Sequence, residues 1–196
     1  PSPVTPERIR RDMEVHVVHI SGPNPAPEEE WNRTFGGTDG DWAHSVQQTS
    51  DGGYILAGET YSYGAGSADF WLVKTDSNGN EQWNKTFGGI SFDYGFDIDI
   101  YNGDIYIVGG TYSYGSGDED IYVTRCDLDG NVIWNTTCGK AGYDEGEAIV
   151  VHDGLIYIAG FIEEANYSAF IACFDNDNDG DGLGNHEELE LGTDPN

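Results

Sequence analysis

The sequence predicts an all-β protein made of three four-stranded antiparallel repeats of the propeller-blade type, followed by a short calcium-loop tail. Two observations lead to this prediction. The chain of 196 residues repeats itself about every 50 residues, a period typical of propellers, solenoids and arrays of modules. It also contains 28 glycines, 12 tyrosines and 5 tryptophans, a composition typical of short strands joined by tight turns.

The repeat is clearest in a tryptophan-led motif. The segment 31–37, W-N-R-T-F-G-G, returns as W-N-K-T-F-G-G at 83–89 and, weakened, as W-N-T-T-C-G-K at 134–140. Other segments keep step with it, such as T-Y-S-Y-G at 60–64 and 111–115. Matches in a fixed order indicate duplicated structural units rather than biased composition.

Each unit is expected to hold four strands. In the first unit, Asp51-Gly-Gly and Ser77-Asn-Gly-Asn predict hairpin turns, because glycine and asparagine tolerate positive φ. Four antiparallel strands in about 50 residues match the size of one propeller blade. The strands predicted for this unit are Ala43–Thr49, Tyr54–Tyr61, Phe70–Thr75 and Glu81–Phe87.

The motifs W-N-x-T-F-G-G, D-G-G-Y-I-L-A-G and D-x-W-L-V-K together resemble the β-propeller-type repeats of secreted archaeal and bacterial surface proteins. The resemblance covers about residues 31–175. It implies an extracellular or cell-surface protein with a binding or architectural role, and it carries over no catalytic residues.

The third repeat departs from the pattern, since the sequence after Asp175 turns into an acidic run instead of a fourth strand. Trp31–Phe35, in contrast, has the sequence of a fourth strand with no three strands before it. If this segment pairs with the last repeat, it closes the ring. Three blades are few for a propeller, which usually has about four to eight. A six-bladed ring of two copies, a tight three-bladed or barrel-like body of one copy, and head-to-tail stacking of copies therefore all remain open.

Residues 1–30 are interpreted as an N-terminal arm. A run of alternating polarity predicts one strand, and the proline-rich linker at 23–27 places it on an extended tether. This strand either packs on its own body or is donated to the sheet edge of a neighbouring copy. Its residues are Glu14, Val15, His16, Val17, Val18, His19 and Ile20.

The tail, residues 176–196, predicts a calcium site. Carboxylates at the first, third, fifth and twelfth loop positions, with Gly182 sixth, match an EF-hand-type loop. The spacing resembles thrombospondin type 3 and dockerin repeats more closely than a helix–loop–helix pair. A solvated acidic tail is the alternative. The candidate ligands are Asp175, Asp177, Asp179, Asp181, Leu183 (through its carbonyl), Glu187 and Glu188.

Four Asn-x-Ser/Thr sequons predict glycosylation sites if the compartment glycosylates; otherwise they are ordinary strand residues. Three of them share one position in the repeat. Cys126, Cys138 and Cys173 fit no metal or haem spacing, and their pairing stays open. The sequons lie at Asn32, Asn84, Asn135 and Asn166.

Charge excludes several partners. The formal net charge of −28 disfavours binding to nucleic acid or anionic lipid, and no apolar run approaches the length of a membrane span. No nucleophile motif, phosphate loop or catalytic histidine pair is present, so an enzyme is not expected. The start at Pro1 suggests a processed chain, and the end at Asn196 suggests that the protein continues.

The sequence thus predicts an N-terminal arm (1–30), a three-repeat domain (31–175) and a calcium-binding tail (176–196). We expect an extracellular structural protein that forms homo-oligomers, filaments or lattices through exchange of the N-terminal strand and through calcium. The alternative is an adhesion module that binds a cell-surface carbohydrate or another partner.

Overall fold

The computed structural model describes residues 28–175, and every regular element in this range is a β-strand. The all-β prediction is therefore confirmed. The strands are β1 (Asp41–Gln48), β2 (Tyr54–Thr60), β3 (Asp69–Thr75), β4 (Glu81–Phe87), β5 (Asp93–Tyr101), β6 (Asp104–Thr111), β7 (Asp120–Asp127), β8 (Val132–Cys138), β9 (Asp144–His152), β10 (Leu155–Glu163) and β11 (Tyr167–Asp175).

The strands form three antiparallel meanders, each ordered as in the sequence. The first sheet holds β1 to β4, the second β5 to β8, and the third β9 to β11. The hairpins follow turn chemistry. Asn102 and Gly103 both have positive φ, at 52° and 88°, which is the type I′ geometry that matches the twist of paired strands. Asp153 and Gly154 repeat this turn between β9 and β10.

Two hydrophobic clusters join the sheets. The first lies at junction 1, between the first and second sheets, and includes Phe70, Leu72, Ile98 and Ile107. The second lies at junction 2, between the second and third sheets. Close approach at junction 1 depends on Gly95, because a β-carbon there would lie 1.8 Å from the ring of Phe70.

The third sheet corrects part of the prediction. It has three strands rather than four, and no closed propeller ring is found within residues 28–175. In the described chain Trp31–Phe35 is not a strand, and β11 pairs only with β10. The closure hypothesis is therefore wrong for this structure. The segment lies instead against the first sheet, where the ring of Trp31 packs on Tyr54 with 5.7 Å between centroids, and the third sheet ends at β11 within the described residues.

Within residues 28–175, no helix is long and apolar enough to cross a membrane. The predicted donor strand at 14–20 and the calcium loop beyond Asp175 lie outside the described residues.

Candidate functional site: sheet junctions and outer faces

We call the first strand of each sheet (β1, β5 and β9) its inner strand. A carboxylate at the start of each inner strand holds the loop that leads into its sheet. In the first sheet, Asp41 accepts hydrogen bonds from the hydroxyls of Thr60 and Ser62 and from the amide of Gly37, the last two at 2.8 Å. Burial acts to raise the pKa of Asp41, but these hydrogen bonds outweigh it, and the pKa lies below its usual value. The ionised carboxylate is thus part of the fold.

The second sheet repeats this arrangement. Asp93 accepts from the hydroxyls of Thr111 and Ser113 and from the amide of Gly89. The recurring T-Y-S-Y-G motif supplies the hydroxyls, and its second tyrosine also ties the loop, since the Tyr114 hydroxyl donates to the carbonyl of Gly88 at 2.8 Å. The structure thus gives this motif a structural role in holding the loops at the start of each sheet.

The third sheet lacks the hydroxyl donors, because Ile162 and Glu164 stand where the other repeats have threonine and serine. Asp144 instead accepts from the amides of Lys140 and Glu163. The loop is retained with fewer side-chain donors.

The inner strands are tied to one another through β5. Asp97 accepts from the Ser45 hydroxyl at 2.7 Å and from the Ile149 amide at 3.0 Å. Asp99 accepts from the Val151 amide at 2.7 Å. Two side chains of one strand thus join all three sheets at their inner edge.

Junction 1 also contains a paired carboxylate. Glu59 on β2 lies 2.5 Å from His44 Nε2. The ring of His44 lies against Phe96 of the second sheet, with centroids 5.5 Å apart. The imidazole therefore links the carboxylate of one sheet to an aromatic ring of the next.

Junction 2 also contains a carboxylate, but a different repeat position supplies it. At the β2 position of Glu59 the second repeat has Gly110, and a β-carbon on Gly110 would lie 1.9 Å from Oε1 of Glu119. Glu119 replaces Ala68 of the first repeat and is 2% exposed. Its carbonyl accepts from the Asp144 amide at 2.9 Å, which joins the second sheet to the third.

The carboxylate of Glu119 has no counterpart of His44, because Phe96 holds that position in the second repeat. Among the described residues, Glu119 Oε1 is buried without a hydrogen-bond partner. Burial raises the pKa of Glu119 to about 7. Burial, followed by the charges of Glu119 and Glu147, raises the pKa of Glu145 on β9 to about 7 as well.

The two outer faces of the sheet stack differ from the junctions. The first sheet has one side that faces away from the second sheet, and we call this side the leading face. It includes Ala43 and Val46 on β1. The corresponding side of the third sheet is the trailing face, and it includes Ala159, Ala169 and Ile171 on β10 and β11. The leading-face position of Val46 is 60% exposed, whereas the equivalent Ile98 and Ile149 are 1% and 2% exposed.

The trailing face shows the same contrast. Ile171 is 75% exposed, whereas the equivalent Leu72 and Val123 are 0% and 3% exposed. An open cavity of about 650 Å³ lies here, lined by the small residues Ala159, Gly160 and Ala169 together with the rings of Phe161 and Tyr167. Both ends of the stack thus present sheet surfaces of the kind that the repeat buries elsewhere.

The predicted sites are only partly within the described chain. Asp175 ends β11, and the other predicted calcium ligands lie outside the described residues. In residues 28–175, no group of three His, Cys, Asp or Glu side chains is arranged to hold a metal ion. All four sequon asparagines, Asn32, Asn84, Asn135 and Asn166, are exposed. The structure has Cys126, Cys138 and Cys173 as free thiols.

The residues that sequence reasoning missed are Glu119 and the exposed face positions. Alignment of the repeats shows that Glu119 replaces Ala68 and that Gly110 replaces Glu59. Nothing in the sequence, however, indicates that these two positions lie next to each other in the fold. No protein-family model matches the chain, and no curated protein matches it as a relative.

Proposed function

We propose that the protein is an extracellular, non-enzymatic structural protein that assembles with copies of itself, the leading face of one copy packing on the trailing face of the next. The observation that supports this most is the exposure of Val46 and Ile171 at positions that both internal junctions bury. Exposed apolar sheet faces of this kind are typical of interaction surfaces.

Side-chain sizes favour a second copy as the occupant. At the junctions, a β-carbon on Gly95 would lie 1.8 Å from the ring of Phe70, and one on Gly146 would lie 2.9 Å from Ile121, so glycine allows the close approach at both positions. The leading face has Ala43 at this position, one methyl group larger. The trailing face compensates, since Ala169 stands where Phe70 and Ile121 stand in the other sheets. The two outer faces are therefore complementary in volume.

A contact between two different faces is heterologous. Repeated, it gives either a closed ring or an open filament, depending on the rotation between copies. We favour the filament or lattice. Calcium bound by the tail would then rigidify the C-terminal joint, and the N-terminal strand would add a second connection between copies. The cell surface is the proposed location.

The test is particle size by light scattering and electron microscopy, first with calcium and then with excess chelator. We expect long particles that shorten on chelation. Long particles that ignore the chelator would remove calcium from the proposal. Monomers in both conditions would contradict self-assembly, and closed dimers would contradict the filament.

A matched pair of variants localises the contact. Ile171→Asp places a charge on the trailing face and is expected to leave monomers. Ile133→Asp changes an apolar residue that is 50% exposed on β8, outside either outer face, and is expected to assemble like the wild type. Equal behaviour of the two variants would contradict the assignment of the surface.

The second candidate function is carbohydrate binding. Three partly exposed rings adjoin, since Trp42 lies 5.3 Å from Tyr61, and Tyr61 lies 6.4 Å from Phe92. Sugar rings stack on aromatic surfaces of this kind. Glycan-array binding that Trp42→Ala abolishes, by a wild-type protein that stays monomeric, would favour this adhesion role over assembly.

A further inference from the structure

The segment Trp31–Phe35 occupies a place that the repeat assigns to a fourth strand. A β-carbon on Gly79, in the turn before β4, would lie 2.5 Å from the ring of Trp31 and 3.0 Å from the side chain of Arg33. Two repeat positions therefore cover this turn, and they come from the chain that precedes the first sheet.

The same contact recurs one repeat later. A β-carbon on Gly130, in the turn before β8, would lie 3.1 Å from the ring of Trp83 and 2.9 Å from Lys85. Trp83 and Lys85 belong to β4, the outer strand of the preceding sheet. Trp31–Phe35 thus packs on the first sheet as β4 packs on the second.

The fourth-strand likeness extends to the sequence but not to the pairing. W-N-R-T-F at 31–35 matches W-N-K-T-F at 83–87, the body of β4. In the described chain, however, no sheet includes the segment. It has the position and sequence of an outer strand, and within residues 28–175 no strand precedes it.

The third sheet has the opposite deficiency. The first and second sheets end in β4 and β8, whereas within residues 28–175 the third ends at β11. An exposed strand edge of this kind is a template for pairing with another chain.

We propose that Trp31–Phe35 of one copy is the fourth strand of the third sheet of the preceding copy. This inference rests on the proposed self-assembly and specifies its contact. If the segment pairs with β11, the leading face of its own copy lies against the trailing face of the preceding copy. The same arrangement occurs at junction 1, where β4 ends the first sheet and β5 begins the second sheet, which packs on it. A single intermolecular contact would thus complete the third sheet of one copy and cover both outer faces.

The repeat fixes the register of the intermolecular pair. In the first sheet, Val73 pairs with Asn84 and Lys74 with Trp83. The equivalent residues on β11 are Ala172 and Cys173. Ala172 is therefore expected opposite Asn32 of the next copy, and Cys173 opposite Trp31.

Disulfide cross-linking tests this register on the full chain. In a background with Cys138→Ser and Cys173→Ser, copies that carry Ala172→Cys are mixed with copies that carry Asn32→Cys and are then oxidised. A disulfide needs Cα atoms within about 7 Å, so only paired positions react. We expect a covalent dimer in the mixture and none in either variant alone.

The control replaces Asn32→Cys by Arg33→Cys, whose side chain belongs to the other face of the strand. Its yield is expected to be several-fold lower. Equal yields from the two mixtures would overturn the register, and so would no dimer from either mixture when light scattering shows that the copies assemble.

Light scattering on the same unoxidised variants separates the two proposals. Assembly without the predicted cross-link would overturn the strand pairing and leave the proposed function in place. Monomers of the wild-type protein would overturn both. Cross-linking between the native Cys173 and Trp31→Cys gives an independent second measurement, which does not depend on changing Ala172 or Asn32.

Discussion

At the two internal junctions the chain buries Ile98 and Ile149, whereas at the leading face it leaves the equivalent Val46 exposed. All three residues are β-branched and apolar, so intrinsic strand preference does not explain the difference. What differs is whether a preceding sheet is present. In a repeat protein of this kind every unit carries the surface for its neighbours, so an end unit leaves one such surface without a neighbouring sheet.

The junctions also have polar ties that the outer faces lack. Asp97 and Asp99 connect β5 to β1 of the first sheet and to β9 of the third sheet. The equivalent residues on β9 are Ala148 and Val150, whose apolar side chains cannot accept hydrogen bonds from a following sheet. We therefore expect the contact between copies to be weaker than the internal junctions, and reversible.

The largest effect is predicted for matched substitutions at one repeat position. Ile98→Asp buries an unpaired charge and is expected to lower the free energy of unfolding by on the order of 3–5 kcal/mol. Val46→Asp is expected to change it by less than about 0.5 kcal/mol while it abolishes assembly. Denaturant titration measures both, and similar losses would contradict the distinction between junction and outer face.

The two junctions themselves differ in how they hold a carboxylate. Glu59 faces His44 at junction 1, whereas Glu119 at junction 2 lies close enough to Tyr94 of β5 and Glu145 of β9 to act on both electrostatically. A carboxyl whose pKa is raised by folding holds its proton when the unfolded chain has lost it. Its contribution to stability is therefore present at low pH and is lost as the pH rises.

The expected window runs from the ordinary value of about 4.5 to about 7. Over it, ionisation of Glu119 should cost about 3 kcal/mol, from about 1.4 kcal/mol per pH unit. Glu119→Gln, which cannot ionise, should remove that part of the slope of stability against pH, whereas the control Glu59→Gln should retain it. Thermal denaturation from pH 5 to 8 measures the slopes, and identical slopes in all three proteins would contradict this account of junction 2.

A smaller effect is predicted for salt. With a net charge of −28, copies repel one another, and salt screens the repulsion over a Debye length of about 10 Å at 0.1 M. Assembly should tighten several-fold between 0.05 and 0.5 M sodium chloride, as measured by sedimentation. Assembly that weakens with salt would indicate that ion pairs, rather than apolar sheet faces, carry the contact.

Much of this fold could be predicted from the sequence. The predicted strand Glu81–Phe87 agrees with β4 at both ends, and Tyr54–Tyr61 differs from β2 by one residue, because turn residues and alternation mark these boundaries locally. The location of Trp31–Phe35 could not be predicted this way. Its sequence resembles an outer strand, but whether it pairs with a sheet depends on contacts between distant parts of the chain. Glu119 was missed for the same reason, since its burial depends on Gly110 and the neighbouring sheet.

The most direct test of head-to-tail assembly mixes two variants that each retain one working face. Val46→Asp keeps the trailing face, and Ile171→Asp keeps the leading face. Each alone should be a monomer by light scattering, and the equimolar mixture should give a particle of two chains that grows no further. Assembly of either variant alone, or a mixture that stays monomeric while the wild type assembles, would contradict a contact between the two different faces.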